Sequence, residues 1–187
     1  MTMKRIWLVR HCKAAGQAPE APLTEEGVTQ AERLADFFAG MKVDRIVASP
    51  FERAVASIRP YAARSGLAIE TDGRLSERVL STEPLPDWMD KLKASFADLD
   101  ARLAGGESSR EAMARRKAVI GECWRRPESN TIVVTHGNLM ALILKAYDDR
   151  YGFEEWKSLT NPDVYELCGT DEAGEIRIGR LWSGAAG

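Results

Sequence analysis

The sequence predicts an α/β fold, a three-layer α/β/α sandwich around a mostly parallel central sheet. Short apolar runs alternate along the chain with amphipathic stretches of helical spacing, the order expected of a sheet covered on both faces. Capping and turn residues punctuate these runs. No internal repeat or low-complexity linker divides the 187 residues, so one domain spanning 1–187 is expected.

Lys4 to Val9 reads as a buried strand, because Ile6-Trp7-Leu8-Val9 is a continuous apolar run. Leu23 to Met41 reads as an amphipathic helix. Thr24 can cap it, Glu25 and Glu26 suit its first turn, and Val28, Ala31, Leu34, Ala35 and Phe38 recur at helical spacing. Arg45 to Ala48 is a second strand stopped by Ser49-Pro50. The helix that follows, Phe51 to Arg64, holds Pro60, which should kink it. Ala68 to Thr71 is the third strand. Trp88, Leu92, Phe96, Leu99 and Leu103 give helical spacing between Pro84 and Leu103. Ser108-Ser109-Arg110-Glu111 is a capping box for a helix ending near Arg126-Pro127. Thr131 to Thr135 is a fourth strand, and Asn138 to Tyr147 a helix apolar on most faces. Val164 to Cys168 and Glu175 to Leu181 read as strands around the turn-rich 171–174.

Composition narrows the function classes. A net charge of -2 offers no global attraction to nucleic acid or an anionic membrane, so any anion site must be built locally. No apolar run approaches the ~20 residues of a membrane span, and a strand pattern begins almost at the first residue, leaving no room for a signal peptide. Cys12, Cys123 and Cys168 are an odd count at unrelated spacings and imply no disulfide framework. A cytoplasmic protein is expected.

Ligands of open α/β sheets bind at the carboxyl ends of the strands. Arg10-His11 ends the first strand, Ser49-Pro50 the second and His136-Gly137 the fourth, so both histidines of the chain fall at one sheet edge. Arg53, in the first turn of a helix, opposes the helix dipole. Alone it reads as a solvated charge; read with Arg10 it is one of two guanidinium forks able to hold one oxyanion. Two histidines 125 positions apart, with no acidic or cysteine spacing around them, form no metal motif.

At these residues the sequence resembles the histidine phosphatase superfamily, phosphoglycerate mutase-like branch. Leu8-Val9-Arg10-His11-Cys12 is similar to its Arg-His-Gly signature. Leu23 to Ala31 resembles its Leu-Thr-x-x-Gly-x-x-Gln-Ala helix start, and Ala48 to Ala54 its Ser-Pro-x-x-Arg-Ala segment. Gly106-Glu107-Ser108 and Val134 to Asn138 match two further blocks in the family's order. The resemblance implies a phosphoglycerate mutase-like fold and roles at matched positions. His11 would be the nucleophile that becomes a phosphohistidine, with Arg10, Arg53 and His136 around the phosphate oxygens. Such a cluster meets the needs of phosphoryl transfer, in-line positioning and charge neutralisation, without metal or cofactor. The family's acid after the third strand matches Glu77 best, with Glu83 as runner-up. Gln17, six residues after His11, stands where family members often carry a phosphate-contacting asparagine. Lys13 reads as solvated, able at most to draw anions toward the site.

Two departures matter. Cys12 replaces glycine, which requires an ordinary backbone conformation there and raises a rival nucleophile. Cysteine phosphatases, however, need an arginine six residues after the cysteine, and position 18 is Ala18. The stretch after Glu77 lacks the family's Gly-x-Trp-Glu-Gly run, which weakens substrate inference; residues 78–106 are expected to form a cap-like insertion instead. The expected activity is phosphomonoester hydrolysis of a phosphorylated small molecule or phosphoprotein. A 2,3-bisphosphoglycerate-dependent mutase is the first alternative, disfavoured by the short chain; a non-catalytic phosphoprotein-binding module is the second. The C-terminal strands leave a sheet edge with which a second subunit could pair.

Overall fold

A computed structural model describes residues 2–170 and 174–183. Its six-stranded sheet contains β1 (Lys4–Arg10), β2 (Arg45–Ala48), β3 (Ile69–Thr71), β4 (Asn130–Thr135), β5 (Asp163–Gly169) and β6 (Arg177–Ser183), in the order β3-β2-β4-β1-β5-β6. The first four strands run parallel. β5 pairs antiparallel with β1, and β6 antiparallel with β5. The sheet is therefore mixed and mostly parallel, as the alternation of strands and helices predicts.

Side-chain alternation divides the core into two layers. Trp7 and Val9 of β1, Ile46 and Ala48 of β2, and Ile132 and Val134 of β4 pack against α1 (Glu25–Phe38) and α2 (Glu52–Ser65). Ile6, Leu8, Val47 and Val133 face the opposite layer, with α3 (Trp88–Ala97), α4 (Ser109–Arg125), α5 (Gly137–Tyr147) and α6 (Phe153–Ser158). β4 lies between β2 and β1 and is buried at every residue. That position explains its unbroken apolar run.

The helix ends follow their caps. Thr24 accepts from the Gly27 amide at 3.0 Å and starts α1, two residues later than the predicted start at Leu23. Val28, expected in the apolar stripe, is exposed. Helix α2 continues through Pro60 and ends at Gly66 in the left-handed region (φ 75°). Ser108 and Glu111 form the predicted capping box of α4. The helix predicted from Pro84 to Leu103 shortens to α3, because the Asp98 carboxylate turns back to the Asp100 amide (3.1 Å) and offers the backbone an alternative to the helix. β6 begins at Arg177 rather than Glu175. The predicted turn at 171–174 lies largely outside the described residues. Helix α6 and a 3-10 turn at Gly73–Leu75 were not anticipated, being too short to show a period.

The register sets up the site. Arg10 at the end of β1 stands opposite Thr135 of β4, and Ala48 of β2 stands opposite Val134. The segments leaving these three strands start side by side.

Candidate active site

The predicted residues converge at that edge. The His11 amide donates to the Thr135 carbonyl (3.1 Å) and the Ser49 amide to the Val134 carbonyl (2.9 Å), extending the ladder one residue past the strands. Arg53, on the first turn of α2, is fully buried and donates from Nε to His11 Nε2 at 3.3 Å. Its Nη1 donates to the carbonyls of Gln17 (3.1 Å) and Ala18 (2.9 Å), tying down the loop after β1. Arg10 donates from Nη1 to the Leu159 carbonyl at 3.1 Å. The rings of His11 and His136 meet edge-on, 5.2 Å between centroids.

Two hydrogen bonds agree on the His11 tautomer. Nδ1 lies 2.7 Å from the Cys12 carbonyl, which can only accept, so Nδ1 carries the proton. Nε2 then holds the lone pair, as the Arg53 Nε–H donated to it requires. Burial pushes the His11 pKa down to about 4; the Cys12 carbonyl opposes this and the Arg10 and Arg53 charges add to it. The ring is neutral at neutral pH. Burial, with the charges around it, also holds His136 far below the ordinary histidine range. His136 Nε2 is 2.8 Å from Ser49 Oγ.

Four buried side-chain polar atoms among the described residues have no partner: Arg10 Nε, His136 Nδ1, Asn138 Oδ1 and Arg116 Nε. Three of them belong to the end of β1 (Arg10) and the start of α5 (His136 and Asn138). Buried polar groups are normally satisfied, so such a cluster marks where a ligand would supply the missing bonds.

Glu77 reaches the site from the segment after β3. Its carboxylate accepts from the Asn138 (3.2 Å) and Leu139 (3.3 Å) amides at the N-terminus of α5, and from the Arg78 amide at 2.8 Å. A carboxylate there suits the helix dipole. Straps hold the segment from beneath: Thr135 Oγ1 donates to the Leu75 carbonyl (2.9 Å), and Arg116 and Arg115 donate to the Ser76 carbonyl (2.6 and 3.3 Å). Arg116 is fully buried; burial first, and then the Arg115 charge, work against its own charge. Neither the capping box nor helical periodicity in the sequence singled out Arg116. Arg10, Gln17, Glu77, Arg78, Leu80, Trp88, Leu92, Asn138 and Trp156 line a cavity of about 450 Å³. His11, 9% exposed, neighbours its Arg10 wall. A second cleft, between α1 and α2, touches none of these residues.

Other sequence candidates fall away from the cavity wall. Glu83 is exposed, and its amide bonds to Ser81 Oγ (3.0 Å). Lys13 pairs with Glu26 at 2.5 Å. Cys12 is buried in the α1–α2 layer, where burial pushes its thiol up to about 11, and its amide donates to Ser57 Oγ (2.7 Å). That is the state of a packed cysteine, not of a nucleophile. No described non-glycine residue has a positive φ, so cysteine fits where the family has glycine. The glycines of the matched blocks are fixed by contact. A Cβ on Gly27 would lie 2.1 Å from the Lys13 carbonyl oxygen, one on Gly106 2.1 Å from that of Leu80, and one on Gly137 2.9 Å from the Arg10 guanidinium. Among the described residues, no group of three or more His, Cys, Asp or Glu side chains could hold a metal ion.

Residues 6–178 match the profile of the histidine phosphatase superfamily (branch 1). A probable phosphoglycerate mutase of Enterobacter sp. (strain 638) is 28% identical over 170 residues, covering 79% of both chains. A mycobacterial glucosyl-3-phosphoglycerate phosphatase has a similar fold, with TM-score 0.77 and 24% identity over 97% of this chain and 99% of that one. So does a phosphoglycerate mutase from Bacillus anthracis str. Sterne (TM-score 0.74, 17% identity, 96% and 93% covered). The match over residues 6–178 shows that this chain belongs to branch 1 of the histidine phosphatase superfamily.

Proposed function

We propose that the protein is a phosphomonoester hydrolase in which His11 Nε2 attacks phosphorus. The observation that carries this reading is the His11 tautomer: Nδ1–H is given to the Cys12 carbonyl and the Nε2 lone pair faces the Arg53 guanidinium. As phosphate enters, Arg53 can transfer its Nε–H from the ring to a phosphate oxygen, freeing the lone pair for in-line attack. Arg10 Nε and His136 Nδ1, unpartnered in the free protein, supply further donors. Gln17, on the cavity wall, is assigned a contact with the phosphate ester.

The P–O bond to the alcohol breaks as the P–N bond forms, and Glu77, which takes up a proton as the phosphate dianion binds beside it, gives that proton to the departing oxygen. Glu77 then takes a proton from the water that cleaves the phosphohistidine, which returns both groups to their starting states. The wall residues Arg78, Leu80, Trp88 and Leu92 belong to residues 78–106, which we assign as the cap of a single catalytic domain. A mutase is the second reading, favoured by the probable phosphoglycerate mutases among the relatives.

Purified protein should hydrolyse p-nitrophenyl phosphate in excess EDTA, and His11→Ala should abolish this while Cys12→Ser retains it. Activity that survives in His11→Ala and disappears in Cys12→Ser would overturn the histidine mechanism. Faster interconversion of phosphoglycerates than hydrolysis, dependent on added 2,3-bisphosphoglycerate, would select the mutase.

A further inference from the structure

The outer wall of the cavity has a different chemistry from its floor. Trp88, the first residue of α3, and Trp156 of α6 meet edge-on with centroids 6.3 Å apart. Leu80 and Leu92 complete this wall. Trp88 keeps 47% of its surface exposed although it borders a concave site. Exposed aromatic surface beside polar groups that fix orientation is the composition of a small-molecule pocket.

The same wall offers no second anion site. Apart from Arg10, its only cation is Arg78, which is buried and committed to Ser95 Oγ and Ser109 Oγ (both 3.0 Å) and to the Glu107 carbonyl (3.2 Å). Lys91 pairs with Asp87, and Lys93 lies over the Phe153 ring, 5.8 Å from its centroid. Glu77, the remaining ionisable residue of this wall, is acidic and offers no cation to a second anion.

We infer that the Trp88–Trp156 wall is a leaving-group subsite for monophosphate esters of aromatic or extended apolar alcohols, and that it selects against substrates carrying a second phosphate or a carboxylate. This rests on the hydrolase reading above and adds the substrate class to it. Binding energy from the apolar group would be used to seat the phosphate against His11.

The test compares kcat/KM for 2-phenylethyl phosphate, ethyl phosphate and 3-phosphoglycerate, whose leaving groups are all alkoxides. The phenylethyl ester should exceed each of the others by about tenfold, the order expected for burying one ring. In Trp88→Ala the phenylethyl-to-ethyl ratio of kcat/KM should collapse toward one. Met89→Ala, exposed on the same helix turn but off the wall, should keep the ratio. A 3-phosphoglycerate preference, or a ratio unchanged in Trp88→Ala, overturns the subsite. If no ester is turned over, p-nitrophenyl phosphate included, the hydrolase reading fails instead. Calorimetric binding of 2-phenylethylphosphonate against ethylphosphonate then decides the subsite: tighter binding that Trp88→Ala removes supports it, and equal affinities overturn it.

Discussion

At the residue scale, the chemistry turns on which atoms are already occupied. His11 has one nitrogen committed and one available, and its lowered pKa keeps the lone pair free well below neutral pH. Glu77 has a different constraint, since its oxygens take the amides that open α5. Replacing it with glutamine keeps one oxygen for those amides and removes the transferable proton. Glu77→Gln is therefore expected to lower kcat for an alkyl phosphate by about 10²–10⁴ with little change in melting temperature. Steady-state kinetics beside a thermal melt checks this; Glu83→Gln, on an exposed loop, should match the wild type. Turnover unchanged in Glu77→Gln removes the acid assignment. Glu77 was named as a candidate through the family resemblance, which implies an acid after the third strand. Arg116 was not, because nothing in a one-dimensional reading distinguishes a buried arginine on an amphipathic helix from its solvated neighbours.

At the scale of elements, three strand ends and two helix starts make the site. Parallel pairing of β1, β2 and β4 brings residues far apart in sequence to one edge, and α2 and α5 begin there. Gly137, the first residue of α5, is needed because Arg10 lies where a side chain would go. Gly137→Ala should push the guanidinium aside rather than unfold the helix, for alanine suits a first turn and the obstacle is the end of a flexible side chain. The expected result is a loss of about 10² in kcat/KM, as for a misplacement of order 1 Å, with stability changed by no more than about 1 kcal/mol. A full-activity Gly137→Ala enzyme would show that Arg10 tolerates the shift. The motif glycines could be seen in the sequence; their partners, the Lys13 and Leu80 carbonyls and Arg10, could not.

For the whole molecule, burying two neutral histidines links stability to pH. Both have folded pKa values below the ordinary value of 6.5. Between that value and the folded one, the unfolded chain binds protons that the folded chain refuses, so stability rises with pH. The contribution is intact above about pH 6.5 and is lost as pH falls toward the His11 value near 4. His11 alone accounts for roughly 3 kcal/mol at the acid end of that window. Denaturant midpoints measured from pH 7.5 to 4.5 should fall, and the fall should be shallower in His11→Gln. An equal slope in the variant would mean that carboxylates elsewhere carry the pH dependence.

The sequence by itself determined the α/β class, the main strands and helices and the capping box at Ser108, and its family resemblance named Arg10, His11, Arg53, Glu77 and His136 as candidates for one site. These are properties of local pattern and ordered motif, which the chain displays directly. Only the tertiary structure decided the antiparallel placement of β5 and β6, the burial of Cys12 and Arg116, and the Trp88–Trp156 wall. Each depends on contacts between segments remote in the chain: Trp88 and Trp156 are 68 positions apart, and no spacing rule brings them to the same cavity.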